Sequence, residues 1–140
     1  MAWCCMKPPD TEVQALSAGW LAKAEVDLRA CDGLSAPDIE LWEAVAFHSQ
    51  QAVEKALKAL LVRHQVEFPK THDIQRLLEL LAGTEPELAG ASVGAAALTP
   101  YGVEYRYPGE YPPVDRDSAT AALLVARQVW HEVAQRIRTG

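Results

Sequence analysis

The sequence predicts an all-α protein: an up-and-down antiparallel bundle of four to five helices, with an ordered Tyr/Pro-rich loop before the last helix. Three observations carry that expectation. Apolar residues recur at steps of three and four through several long segments. No stretch alternates apolar and polar residues as a half-buried strand requires. The Gly and Pro clusters fall between the periodic segments rather than inside them. With 140 residues the chain is long enough to bury one core without a metal or a disulfide, and it reads as a flexible leader over 1–10 followed by a single domain over 11–140.

The longest periodic stretch, Asp38 to Val66, contains no Gly or Pro and is dominated by Leu, Ala, Glu, Lys and Gln, so its intrinsic preference is helical throughout. Leu41, Val45, Ala52, Ala56 and Leu60, flanked by Trp42, Val53 and Leu57, form one broad apolar face, with Asp38 placed to cap its start. His48, Gln51, Lys55 and Lys58 form a polar stripe on the other side. Glu54 stands four before Lys58, a spacing expected to give a surface ion pair.

Before this helix, Thr11 and Gln14 have the spacing of a capping box. Val13, Leu16, Trp20, Ala24 and Leu28 then mark a first helix ending near Cys31, with Asp27 and Arg29 turned outward. The short loop from Asp32 to Pro37 makes the first two helices antiparallel neighbours. Beyond the long helix, Pro69 interrupts the pattern, and Thr71 is placed to cap a third helix whose stripe is Ile74, Leu77, Leu78 and Leu81. Pro86 opens a weaker fourth helix. Thr99 to Pro113 reads as a non-repetitive loop with four tyrosines, and Asp115 or Asp117 begins a last helix facing inward through Ala119, Ala122, Ala126, Val129 and Val133.

Composition excludes several function classes. The formal charge of -6 argues against broad non-specific nucleic-acid binding. No apolar run reaches the roughly 20 residues of a membrane span, and residues 1–9 lack the cationic-then-apolar order of a secretory signal, so the expected location is the cytoplasm without membrane association. Cys4, Cys5 and Cys31 have no ligand-like spacing, and the glycines are scattered rather than gathered into a phosphate-cradling loop. No metal and no cofactor is expected.

Three segments, FHSQQAVEKALKALL, FPKTHDIQRLL and YGVEYRYPG, in this order and at these separations, resemble the HEPN domain family, named for higher eukaryotes and prokaryotes nucleotide-binding. The resemblance runs from about Val13 to Ile137. It implies a small helical protein of the prokaryotic stand-alone type that forms a homodimer and binds a small nucleotidyltransferase protein, as in a toxin-antitoxin pair, and that binds nucleotide or RNA. It also implies metal-independent RNA cleavage in members carrying an Arg followed after four to six residues by a His. That motif is absent here: only three residues separate Arg127 from His131, and Arg63 adjoins His64.

Two candidate constellations follow. Arg127 and His131 lie four apart on the last helix, where a proton-transferring imidazole and a phosphate-stabilising cation would project from the same side. The second comprises His48, Gln51, Lys55 and Lys58 on the long helix, His72 and Asp73 at the start of the third, and Tyr105, Arg106 and Tyr107 in the Tyr-rich loop. These supply donors suited to phosphate and aromatic faces suited to a base. A structural alternative stands beside it, in which the charged groups close on one another and lock the helices together.

Overall fold

The computed structural model describes residues 10–103, 108, 109 and 111–139. Among these residues six helices and one 3-10 segment follow in order: α1 (Asp10–Leu34), α2 (Trp42–Arg63), α3 (Ile74–Leu81), α4 (Pro86–Ala91), the 3-10 segment Val93–Leu98, α5 (Thr99–Val103) and α6 (Arg116–Thr139). The all-α bundle expected from periodicity is present, and three long helices make its body. Among the described residues no helix is long and apolar enough to cross a membrane.

Direction along the bundle can be followed through named contacts. Ser17 of α1 donates to the Ala59 carbonyl and Cys31 to the Val45 carbonyl, so α1 and α2 run antiparallel. Trp130 of α6 donates to the Leu21 carbonyl while Arg127 bonds Asp32, so α6 is also antiparallel to α1. α2 and α6 therefore point the same way, and α3, α4 and α5 fill the crossover between them.

α2 is enclosed by α1, α3, α5 and α6, and every residue from Ala56 to Val62 is buried. Ala52, Ala56 and Ala59 of α2, Ala24 of α1 and Ala122 and Ala126 of α6 join one main core with Leu57, Leu60, Leu61 and the α3 leucines. Small side chains at these crossings let the helix backbones approach closely. A smaller cluster of Cys31, Val45 and Ala119, packed by Leu34, Trp42, Val114 and Leu123, closes the end where α2 and α6 begin.

Helix ends depart from the sequence reading for local reasons. α2 starts at Trp42 rather than near Asp38, and Leu41 occupies the N-cap without a side-chain bond. The amides of Ile39 and Glu40 turn back to the Ala36 carbonyl, and Glu40 takes φ +48°, which ends any helical path through it. Thr11 lies inside α1 and is not its cap, and α1 runs three residues past Cys31 to Leu34. The α3 N-cap is Asp73, whose carboxylate accepts the Gln75 N–H, while Thr71 accepts the Asp73 N–H one step earlier. Asp115 caps α6 by accepting the Ser118 N–H. The segment expected as loop from Thr99 opens instead with α5, which buries Gly102.

Candidate carboxylate-histidine site on α2

A helix enclosed on so many sides has little solvent for its polar side chains, so those side chains must be satisfied within the fold. Gln50, Glu54 and Lys58 are all buried on α2. Glu54 is the hub: His72 Nδ1 lies 2.9 Å from its Oε1, Lys58 Nζ donates to Oε2 at 3.0 Å and Gln50 Nε2 donates to Oε1 at 3.2 Å. The expected surface pair of Glu54 and Lys58 is therefore an internal one, because α1 and the segment preceding α3 close over it. Lys58 Nζ also sits 5.5 Å from the centroid of Trp20 and 5.8 Å from that of Phe68, two faces that favour a desolvated ammonium.

Burial by itself pushes the Glu54 carboxyl up, but hydrogen bonds from His72, Lys58 and Gln50 and the Lys58 charge outweigh it and hold the group below the usual glutamate range. It is an ionised acceptor at neutral pH, and it fixes His72 through Nδ1. The remaining His72 nitrogen, Nε2, has no partner among the described residues, and the side chain is 54 % exposed.

A second carboxylate does the same one face round the helix. Asp27 of α1 is buried, not turned outward, since it continues the buried line of Ala24 and Cys31. Its Oδ1 lies 2.8 Å from His48 Nδ1 and its Oδ2 accepts from Lys55 Nζ at 2.7 Å. Two histidines are thus each tied by Nδ1 to a buried carboxylate, and two lysines each complete an ion pair with the same carboxylate. Gln51 lies between the pairs and donates to Gln50 Oε1 at 2.7 Å.

Gln50 links this network to the crossover. Its Nε2 also donates to the His72 carbonyl at 3.2 Å, and Gly102 of α5 rests on its amide so closely that a Cβ there would fall 2.4 Å from Cδ and Oε1. The glycine is required at this position by contact, not by backbone angle.

Of the sequence-derived candidates, His48, Gln51, Lys55, Lys58 and His72 gather along one stripe, and Asp73 stands beside them as a helix cap. Tyr105, Arg106 and Tyr107 lie outside the described residues. Arg127 and His131 stand apart on α6, where Arg127 pairs with Asp32 of α1 and His131 is exposed, its ring edge-on to Trp130 at 5.2 Å. Asp27, Glu54, Gln50 and Gly102 are the residues that sequence reasoning had not placed in the site. The first three carried a signal: each is a polar residue standing three or four positions from buried apolar ones on the core-facing side of its helix.

The HEPN domain family matches residues 17–137, nearly the whole chain. Neither a curated protein nor a solved structure matches it significantly. A helical bundle matched by the family from within α1 to within the last turn of α6, residues 17–137, belongs to the HEPN domain family.

Proposed function

We propose that this HEPN domain acts as a binding module: it pairs with a second copy of itself and with a nucleotidyltransferase protein, and engages nucleotide or RNA phosphates along the α2 stripe without rapid turnover. The carrying observation is that Asp27 and Glu54 already neutralise Lys55 and Lys58 at 2.7 and 3.0 Å. Stabilising a phosphate in flight calls for cationic charge left uncompensated in the ground state. Here an arriving phosphate meets the outward parts of His48, Gln51 and His72. Family membership supports nucleotide or RNA as the ligand class.

Three measurements test this. Light scattering on the purified protein should give a mass twice that of the 15.3 kDa chain, and co-expression with a nucleotidyltransferase encoded beside it should yield one stable complex. Titration with AMP should shift the amide signals of His48, Gln51 and His72 and the ring signals of the two histidines, with binding weakening as salt rises. A monomer that retains no partner and shows no AMP-dependent shift would sink the reading.

A second reading is metal-independent RNA cleavage with His72 as the proton-transfer group. It is favoured by the Glu54-held ring with Nε2 outward, an arrangement suited to general acid-base work. It expects RNA cleavage that persists in EDTA and disappears in His72→Ala. The sequence-derived pair, Arg127 with His131, has weaker support, since Asp32 engages the guanidinium. Cleavage lost in His131→Ala but kept in His72→Ala would move the chemistry to α6.

A further inference from the structure

The end of the bundle where α2 and α6 begin carries a groove of about 640 Å³ that the α2 stripe does not use. Leu41, Trp42, Ala44 and Phe47 form its α2 side, and Tyr101 of α5 and Val114 before α6 form the other. Leu41 is 53 % exposed and neighbouring Ile39 46 %, so large apolar side chains stand at the surface there. Burying such side chains is favourable in proportion to their area, and contiguous exposed apolar surface of this kind marks an interaction site.

The rim is mainly acidic. Glu40 and Glu43 line the groove, Asp38, Asp115 and Asp117 stand within three residues in sequence of its lining residues, and all five are exposed. Among the described residues of the two segments that form this rim, 38–47 and 111–117, the cation is Arg116. Its guanidinium donates to Glu40 at 2.7 Å and lies 5.4 Å from the centroid of the Trp42 ring. That contact displays what the surface accepts: a cationic group whose charge meets a carboxylate while its flat face covers an aromatic ring. Glu43 takes no such partner among the described residues.

We infer that this groove is a docking surface for an amphipathic helix of a partner protein, with apolar anchors entering between Leu41, Phe47 and Tyr101 and lysines or arginines meeting the acidic rim. A groove of this volume has room for several large side chains, and a helix delivers them from one face at steps of three and four. The surface adjoins the polar stripe, because the Phe47 ring meets the His48 ring edge-on at 5.2 Å. The inference stands apart from the phosphate-binding role, since none of the groove-lining residues belongs to the carboxylate-histidine network.

The probe is a synthetic lysine-rich amphipathic peptide of about 18 residues with leucines spaced by three and four, compared with its glutamate-rich counterpart. Binding is followed on the full chain by amide shifts. The lysine peptide is expected to shift signals between Leu41 and Phe47 and to weaken as salt rises, and the glutamate peptide to leave them unmoved. Leu41→Ser removes the exposed anchor and introduces a favoured N-cap residue, so the fold is retained while affinity falls about tenfold. Glu43→Gln should reduce the salt dependence. Equal binding of both peptides, shifts located elsewhere, or no binding would overturn the inference. Dissociation of a homodimer by Leu41→Ser would also overturn it, by assigning the groove to a second copy of the chain.

Discussion

Glu54 is the residue on which most local interactions converge, and its ionisation makes its contribution pH-dependent. Its folded value lies below the unfolded one, first against the upward push of burial and then because His72, Lys58 and Gln50 bond the charged form. A depressed carboxylate stabilises the fold fully above the ordinary glutamate value of about 4.3, and that stability is lost as pH falls through the folded value. Glu54→Gln should therefore cost about 3 kcal/mol in urea unfolding at pH 7, because it leaves the buried Lys58 ammonium unpaired. The difference from wild type should shrink as the pH is taken below 4.3; a gap independent of pH would show that the charge is not what matters. Gln65 is the opposite case. It sits at φ +56° just beyond α2, with its amide bonding the Val62 carbonyl and that of Val66 bonding Leu61, a helix-ending motif in which glycine is favoured. Its side-chain Oε1 is also buried without a partner among the described residues. Gln65→Gly should raise stability by about 0.5–1 kcal/mol, read as a higher denaturation midpoint at unchanged slope.

At the scale of elements, the crossover between α2 and α6 is held down at two places. Gly102 seats α5 against the Gln50 amide, and Glu85 before α4 receives both His64 at 2.7 Å and Arg136 at 3.1 Å, joining the end of α2 to α6. Gln50 cannot yield freely to a new methyl group, since its amide is bonded to Glu54, to the His72 carbonyl and to Gln51. Gly102→Ala is expected to cost about 1–3 kcal/mol by overpacking and to displace the His72 ring signals, while Gly33→Ala, which meets nothing, should not move them. Equal effects of the two substitutions would remove Gly102 from any part in the network. The long helices were legible from their period, and so were the starts of α4 at Pro86 and of α6 at Asp115, but the start of α2 was not: Glu40 enters a left-handed turn that no propensity of glutamate signals. α5 was hidden because Pro, Tyr and Gly in its sequence read as loop, and its helical form comes with packing on α2.

For the whole molecule, enclosure of α2 sets the order of stability. The amides from Ala56 to Val62 lie in a helix covered by its neighbours, so they should exchange with deuterium only through global unfolding, whereas those of α4, which carries just Leu88 and Ala89 into the core, should exchange through local opening. Matching free energies for the two sets would mean that the crossover and the long helices open together. The same enclosure shields Cys31, whose thiol burial pushes up in spite of a contact with Ser49, so this thiol should resist alkylation until the bundle unfolds.

The sequence by itself determined the helical class, the central place of α2 and the family, because periodicity and ordered motifs are properties of the chain alone. Which way its charges face was decided by the tertiary structure. Asp27 and Glu54 look like surface acids in a helix read in isolation, and they become buried hubs only when α1 and the segment before α3 close over α2. A carboxylate's role depends on which cations and donors reach it once water is excluded, and three of those contacts, His48 and Lys55 to Asp27 and His72 to Glu54, span 18 to 28 positions in the chain.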